Sequence, residues 1–136
     1  MKPMPLEVRD YMTTDLITVS PRDEITQVVR LLIEHDISGL LVVEEGYRVV
    51  GVVTERDCIS VATSADYYEE WGGPVERYMS APVETVAPEE NLVDVAERMT
   101  KSQYRRFPVV DDGHVIGILT RRDVLRALGK GSWFKP

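Results

Sequence analysis

Two aspartates, each three residues after a threonine, are the side chains in this chain best suited to binding chemistry. They are Asp57 after Thr54 and Asp123 after Thr120, and each closes a stretch that reads glycine, two apolar residues, threonine, two polar residues, aspartate. A carboxylate accepts two hydrogen bonds from a vicinal diol such as that of a ribose, and the hydroxyl can add another. The alternative is structural, because a threonine N-cap followed by an acidic residue at the third helical position forms a capping box.

The same residue types recur along the chain at a constant spacing, which indicates a tandem duplication. Met12 and Met79 lie 67 positions apart, whereas Gly51 and Gly117 lie 66 apart. One residue is therefore missing from the hairpin of the second copy. Because both copies keep the Thr-x-x-Asp arrangement, a shared binding role is favoured over two unrelated helix caps.

Length and charge restrict the class of protein. The chain has 136 residues and a net charge of −7, which argues against a nucleic-acid partner. A half near 60 residues is marginal alone, so we expect the two copies to pack on each other. Cys58 is the single cysteine, which excludes an intrachain disulfide and a cysteine-based metal site. Cys58 itself is expected to be a small buried residue.

Targeting signals are not evident in the sequence. No apolar run approaches the ~18 residues of a membrane span, and no apolar stretch follows the first five residues, Met1–Pro5, as in a signal peptide. We therefore expect a cytoplasmic protein without a membrane partner. His35 and His114 are isolated, and no metal-ligand spacing or nucleophile accompanies them. The sequence predicts neither an enzyme nor a metal site.

Apolar periodicity and turn residues predict one order of elements in both copies: helix, strand, helix, strand, strand, helix. Small sheets packed with amphipathic helices make an α/β (α+β) fold. For the first copy the predicted segments are Leu6–Met12, Leu16–Val19, a helix from Ser20 and Pro21 to His35, Leu40–Val43, Val49–Val53 and Arg56–Ala62. For the second they are Val75–Met79, Val83–Val86, a helix from Pro88, Phe107–Val110, Val115–Leu119 and Arg121–Leu128. In the sixth segment of the first copy, Ile59 and Ala62 are predicted to face inward, with Val61 a further candidate.

This order, the duplication and the closing Thr-x-x-Asp resemble the CBS domain, named after cystathionine β-synthase. A tandem pair is called a Bateman module. The motifs Met12-Thr13, Ile17-Thr18-Val19, Leu41-Val42-Val43 and Gly51–Asp57 carry the resemblance, and all recur in order. The resemblance implies two repeats related by a pseudo-two-fold axis. We place them at 7–65 and 75–130, with a linker at 66–74.

The resemblance also implies that each aspartate binds ribose hydroxyls and that an adenine base lies in an apolar slot between the repeats. The predicted main cleft consists of Thr14, Asp15, Ile17, Ile37, Ser38, Gly39, Arg105, Arg106, Ile118, Thr120 and Asp123. The predicted second cleft consists of Val52, Thr54, Asp57, Pro82, Val83 and Tyr104, with the two arginines also adjoining it.

Arg105 and Arg106 suit a phosphate, because guanidinium groups form charge-assisted and often bidentate hydrogen bonds. The first copy has Ser38 and Gly39 at these positions, so only the second copy brings the charge. The alternative is an exposed pair that balances neighbouring carboxylates. We expect the Asp123 cleft to bind more tightly, so that an alanine at Asp123 would cost more affinity than one at Asp57.

The sequence thus favours a regulatory sensor that binds AMP, ADP or ATP, needs no cofactor and forms a homodimer. Two alternatives stay open: a ligand-free interaction scaffold for an effector protein, and a binder of S-adenosylmethionine or another adenosine derivative. Five aromatic residues have no assigned role, although a dimer interface is favoured for the first three: Tyr67, Tyr68, Trp71, Trp133 and Phe134.

Overall fold

The computed structural model of the chain describes residues 6–65, 72–81 and 84–130. Over these ranges it has five strands and four α-helices, which confirms the predicted α+β class. None of the helices there is long and apolar enough to cross a membrane. The five aromatic residues without an assigned role, and the predicted site residues Pro82 and Val83, lie outside the described residues.

The elements follow the predicted order, except that the first strand of the second copy does not appear as a strand in the described residues. They are β1 (Thr18–Val19), α1 (Ile25–His35), β2 (Gly39–Glu44), β3 (Arg48–Thr54), α2 (Glu55–Ala65), α3 (Leu92–Lys101), β4 (Arg106–Asp111), β5 (His114–Thr120) and α4 (Arg121–Gly129). A short 3-10 helix precedes each set, at Val8–Asp10 and at Val75–Arg77. Short helices were predicted for these two lead-in segments at Leu6–Met12 and Val75–Met79; the structure has a helix inside each range, but each is a single 3-10 turn that ends before Met12 or Met79.

The chain folds into two compact units. The central unit is Ile17–Val83, and the terminal unit joins Met1–Leu16 to Glu84–Pro136. The lead-in segment of the first copy therefore belongs to the unit built from the second copy. The lead-in segment of the second copy belongs to the central unit in the same way.

Main-chain hydrogen bonds hold each lead-in segment in place. In the terminal unit, Thr13 and Ile118 exchange two N–H···O bonds of 2.9 Å. In the central unit, Ser80 and Val52 exchange bonds of 2.8 and 3.1 Å. Each lead-in segment therefore ends in a two-bond main-chain bridge to the strand of its unit that leads into the Thr-x-x-Asp motif.

The hairpins of the two units are built alike. The strands β2 and β3 pair antiparallel, as do β4 and β5, and both hairpins have a register shift at the same place, Val42/Val43 and Val109/Val110. Three residues join β2 to β3, whereas Asp112 and Gly113, both at positive φ, join β4 to β5. Two residues at positive φ suit a tight hairpin. This confirms that the second hairpin is one residue shorter.

Each unit has its own apolar core. One cluster of buried side chains lies in the central unit: Val19, Ile25, Val28, Leu32, Leu40, Val42, Val53, Val61 and Val75. The other lies in the terminal unit: Val8, Val86, Leu92, Val95, Met99, Phe107, Val109, Leu119 and Ala127. Val8 and Val75 come from the lead-in segments, and both are fully buried. Burying a valine stabilises by roughly 1.5–3 kcal/mol, so these two residues anchor the segments.

The i, i+3, i+4, i+7 spacing of Ile25, Val28, Val29 and Leu32 predicts the inward face of α1, and all of these but the partly exposed Val29 are buried there. The inward face predicted for α2 is wrong at two of its three residues. On α2, Ile59 is 66% exposed and Ala62 is exposed, while Val61 is buried. Because α2 begins at Glu55 and packs through Cys58 and Val61, the positions next to them on the helix turn outward.

The helices α1 and α3 begin later than Ser20-Pro21 and Pro88, where they were predicted to start. In the central unit, Ile25 N–H donates to the Gly73 carbonyl at 2.9 Å. The Glu24 carboxylate accepts from Gly73 N–H at 3.0 Å, and Glu24 stays extended as the N-cap. In the lead-in segment, Val75 N–H donates to the Asp23 carbonyl at 2.8 Å and Glu76 N–H to the Pro21 carbonyl at 3.0 Å, so the residues before α1 bond outside the helix, which a local capping rule cannot foresee.

In the second copy the N-cap is Asn91, whose side chain accepts from two main-chain N–H groups. Leu92 N–H donates to the Leu6 carbonyl at 2.9 Å, which again ties the helix start to a lead-in segment. The predicted strand Val83–Val86 is reduced, in the described residues, to a single parallel bridge between Val86 and Val109.

We expect Gly117→Ala to destabilise the terminal unit, because the first lead-in segment crosses close to that glycine. A Cβ there would lie 2.7 Å from Met12 Sδ and 3.1 Å from the Thr13 carbonyl oxygen. Overpacking of this kind costs about 1–3 kcal/mol of unfolding free energy. Urea denaturation followed by circular dichroism measures the loss.

Gly129→Ala is the matched control, because a Cβ at that helical glycine meets nothing within 4 Å. It should leave the protein as stable as before, or up to about 1 kcal/mol more stable. Equal losses in the two variants would contradict the predicted close approach.

Candidate functional site

Each candidate pair lies where a strand runs directly into a helix. Thr54 ends β3 and Thr120 ends β5, and the helices α2 and α4 begin at the next residue. Thr120 is extended, with φ −112° and ψ 168°, and serves as the N-cap of α4. The aspartate is the third residue of its helix, so its carboxylate turns back to the threonine N–H. The structural interpretation of both pairs is therefore correct, and any binding role must coexist with it.

The Asp123 carboxylate is only 2% exposed and is surrounded by donors of its own unit. Its Oδ2 accepts from the Thr120 N–H at 2.9 Å and from the Thr120 hydroxyl at 3.1 Å. Its Oδ1 accepts from the Thr13 hydroxyl at 3.0 Å and from the Arg126 guanidinium. The same guanidinium also donates to the Tyr11 carbonyl at 3.3 Å. Both oxygens of Asp123 are thus engaged.

Asp57 completes the same helix cap as Asp123, but the hydrogen-bond donors around its second carboxylate oxygen differ. Its Oδ2 accepts from the Thr54 N–H at 2.8 Å and from the Thr54 hydroxyl at 3.1 Å. Its Oδ1 accepts no hydrogen bond from any residue in the described ranges. Asp57 is also partly exposed, unlike Asp123. Among the described residues, only one of the two carboxylate oxygens of Asp57 is therefore hydrogen-bonded.

Two sequence differences between the copies explain the contrast. Ser80 takes the place of Thr13 in the main-chain bridge, and its exposed side chain donates no hydrogen bond to Asp57 within the described part of the chain. Ser60 stands three residues after Asp57, where the second copy has Arg126. The Ser60 hydroxyl donates to the main-chain carbonyl of Asp57 at 2.7 Å and is too short to act as a counter-ion.

The other predicted main-cleft residues are divided between the units. Thr14, Asp15, Arg105, Arg106 and Ile118 belong to the terminal unit, and Ile17, Ile37, Ser38 and Gly39 belong to the central unit. Within the terminal unit, Arg106 pairs with Thr120 across the hairpin. Within the central unit, Gly39 pairs with Thr54, and the Ser38 carbonyl accepts from Glu55 N–H at 2.9 Å. In each unit, the first residue of one hairpin strand, Gly39 or Arg106, therefore lies beside the threonine of that unit's own Thr-x-x-Asp junction.

The predicted second cleft is divided in the same way. Val52 is a strand residue of the central unit, two positions before Thr54, which ends β3. Tyr104 belongs to the terminal unit, where it packs against the apolar core and its N–H donates to the Ser102 hydroxyl at 3.0 Å. The composition of both clefts stays a prediction.

The sequence analysis did not identify Thr13 and Arg126 as partners of Asp123. Arg126 stands three residues after Asp123 on one helix, a spacing at which opposite charges meet, so this pair could have been found. Thr13 lies 110 positions away and is brought to Asp123 only by the exchange of the lead-in segments. No local pattern could have shown that contact.

Cys58, next to Asp57 on α2, packs half-buried against the core of the central unit. Burial raises the pKa of the Cys58 thiol, and the negative charges of Asp57 and Glu55 raise it further. A raised pKa leaves little reactive thiolate at neutral pH. Cys58 is therefore suited to packing and not to nucleophilic chemistry. In the described parts of the chain, no three His, Cys, Asp or Glu side chains are grouped so as to hold a metal ion.

Comparison with known sequences finds the CBS domain twice, at residues 8–64 and 75–130. The CBS domain-containing protein YhcV of Bacillus subtilis is 34% identical over 117 residues, which cover 86% of this chain and 81% of YhcV. Some relatives are much longer: this chain spans 42% of the length of one relative and 22% of the length of another.

Solved structures show the same fold. The CBS-pair protein CBSX2 of Arabidopsis thaliana in complex with AMP matches with a TM-score of 0.82 and 33% identity, over 91% of this chain and 96% of that one. The CBS domain pair of protein MJ0100, in complex with 5'-methylthioadenosine and S-adenosyl-L-methionine, matches with a TM-score of 0.77 and 30% identity. That match covers 93% of this chain and 98% of the other.

We expect Asp123→Asn to destabilise the protein by about 1 kcal/mol more than Asp57→Asn. Both variants weaken a helix cap, but only the first also disturbs the Thr13 hydrogen bond and the screened Arg126 ion pair. Midpoints of urea unfolding measure the difference. Thr13→Val removes the Thr13 hydroxyl alone and should reproduce part of the excess loss. A larger loss in Asp57→Asn would contradict the hydrogen bonding described above.

Proposed function

The chain belongs to the CBS domain family, and on that premise we propose that it is a cytoplasmic regulatory module that binds an adenine nucleotide: AMP, ADP or ATP. The aspartates Asp57 and Asp123, with Thr54 and Thr120 beside them, are the proposed acceptors for the ribose hydroxyls. The proposed role is binding and signalling, and no catalytic step is assigned to any residue.

The observation that carries this proposal is the open Oδ1 of Asp57 at the end of β3. The cap uses only Oδ2, so the helix start fixes the carboxylate without consuming its second oxygen. A carboxylate oxygen accepts about two hydrogen bonds, which matches the two donors of a ribose diol. The geometry thus supports a sugar acceptor that is already oriented before the ligand arrives.

The similarity to CBSX2, whose structure contains AMP, supports the nucleotide as the ligand. Arg105 and Arg106 add the positive charge that a phosphate would need, and Arg105 is exposed directly before β4. The net charge of the chain is −7, so a phosphate requires such a local basic group.

A second candidate ligand is an adenosine derivative without phosphate. The similarity to the MJ0100 domain pair, which contains 5'-methylthioadenosine and S-adenosyl-L-methionine, favours this alternative. Both candidates share the ribose and the adenine, so the aspartates would serve either one. Arg105 and Arg106 would distinguish the two ligand classes, because only a nucleotide carries the phosphate that they suit.

We expect AMP, ADP or ATP to raise the melting temperature of the protein in a thermal-shift measurement. A ligand at 100 times its Kd adds about 2.7 kcal/mol to the free energy of unfolding. The double variant Arg105→Ala/Arg106→Ala should lose most of the shift caused by a nucleotide. It should keep the shift caused by 5'-methylthioadenosine, which has no phosphate.

The variant Asp57→Asn/Asp123→Asn should lose the response to both ligand classes. Asp112→Asn is the matched control, since it makes the same chemical change at an exposed hairpin residue whose positive φ suits asparagine. If the wild-type protein responds to no adenosine compound, the ligand-free interaction scaffold for an effector protein is the better interpretation.

We further propose a homodimer formed through helix faces. Ile59 on α2 and Leu125 on α4 occupy the same position of the two repeats and are 66% and 61% exposed. Ile33 on α1 is 76% exposed. Large apolar side chains repeated at one exposed position suit a self-association surface.

Light scattering should therefore give twice the mass of one chain, because pairing removes these apolar side chains from water. The double variant Ile59→Lys/Leu125→Lys should shift the protein toward the monomer. Tyr47→Lys, at an exposed hairpin residue, should leave the mass unchanged. A wild-type monomer at micromolar concentration would refute the dimer.

A further inference from the structure

We propose that Arg126 decides which of the two aspartates binds the sugar, so that Asp57 is the primary ligand position and Asp123 is held closed by its own counter-ion. This inference rests on the proposed function, because it concerns the same two carboxylates. It reverses the order expected from the sequence, in which Asp123 was preferred.

The acceptor capacity of Asp123 is filled from within its unit. A carboxylate offers about four acceptor positions, two on each oxygen. At Asp123, two are taken on Oδ2 by the N–H and the hydroxyl of Thr120. The other two are taken on Oδ1 by the Thr13 hydroxyl and the Arg126 guanidinium. A ribose diol, which donates two hydrogen bonds, therefore has to displace both donors on Oδ1 before it can bind there as it would at Asp57.

Asp57 lacks both of the donors that close Asp123. Its Oδ2 carries the same two cap bonds, while its Oδ1 has no donor among the residues that the structure describes. The position that would carry a counter-ion is Ser60, whose hydroxyl bonds to the main chain. Two acceptor positions on one oxygen are thus available, as many as a diol requires.

The Arg126 guanidinium can leave Asp123 and return to it, because the Arg126 side chain is itself exposed to solvent. Its side chain is 56% exposed, whereas that of Asp123 is 3% exposed. The guanidinium can turn into solvent without leaving a buried cavity, but the hydrogen bonds that it makes to Asp123 and to the Tyr11 carbonyl are then lost. Losing a charge-assisted hydrogen bond corresponds to about a tenfold weakening of affinity or more.

Isothermal titration calorimetry with AMP on the full chain tests the inference. The wild-type protein should bind one equivalent per chain tightly, and any second equivalent at least tenfold more weakly. Asp57→Asn should weaken the tight event at least tenfold.

A sharper test exchanges Ser60 and Arg126, the residues that stand three positions after the two aspartates. Thr13→Val/Arg126→Ser, which removes both donors from Oδ1 of Asp123, should bring a second tight equivalent, and adding Asp123→Asn should remove it again. Arg126→Ser alone, which installs the residue of the first repeat and frees one of the two positions, should strengthen the weak second event in part. Ser60→Arg, which installs the counter-ion of the second repeat, should weaken the tight event at Asp57 at least tenfold. Arg122→Ser is the matched control, because it removes an exposed arginine from the same helix, and it should bind AMP as the wild type does.

Circular dichroism of each variant verifies that it is folded. Unchanged AMP binding in Asp57→Asn, or no gain in folded Arg126→Ser, would overturn the inference while leaving the proposed function standing. If neither the wild type nor Arg126→Ser binds AMP or 5'-methylthioadenosine, the proposed function fails, and the inference that rests on it fails as well.

Discussion

The exchange of the two lead-in segments is the constraint on which the other features of this protein depend. Each segment ends in a main-chain bridge to the strand before a Thr-x-x-Asp junction, Thr13 to Ile118 and Ser80 to Val52. The crossing is close, because a Cβ on the strand residue beside it would lie 2.7 Å from Met12 Sδ at Gly117 or 2.6 Å from Met79 Sδ at Gly51. The same segments supply a buried valine to each core and hold the starts of α1 and α3. Their loss would therefore affect packing, helix starts and the junctions together.

At the junctions, the carboxylate that completes the helix cap is the same group that we propose for ligand recognition. The oxygen that faces the threonine completes the helix cap, and such a cap contributes about 1 kcal/mol. The other oxygen takes no part in the cap, so what surrounds it can differ between the copies at little cost to the fold. In the terminal unit, Thr13 and Arg126 occupy it. In the central unit, serines stand at the two corresponding positions, and no described residue donates to that oxygen. Under the proposed function, the duplicated fold would carry two positions of unequal affinity by changing residues around the same cap geometry.

The sequence analysis was right about features that depend on residues close together in the chain. The duplication, the two hairpins with their unequal turns, the apolar face of α1 and the capping pairs are all local patterns. It was wrong about the inward face of α2, where Ile59 is exposed, and about the starts of α1 and α3. In those cases the deciding contact comes from a segment far away in sequence, as when Gly73 draws Glu24 into an extended conformation.

The sequence by itself determined the repeated strand-to-helix junction, since glycine, threonine and aspartate at that spacing encode a strand end, an N-cap and its carboxylate partner. It also determined that the junction occurs twice and that one hairpin is shorter. Only the tertiary structure decided how free each carboxylate is. Thr13 and Asp123 are 110 positions apart, and only the folded lead-in segment places the hydroxyl against the acid. Hydrogen-bond acceptors are filled by whichever donors the fold brings within about 3 Å, and sequence distance does not report that.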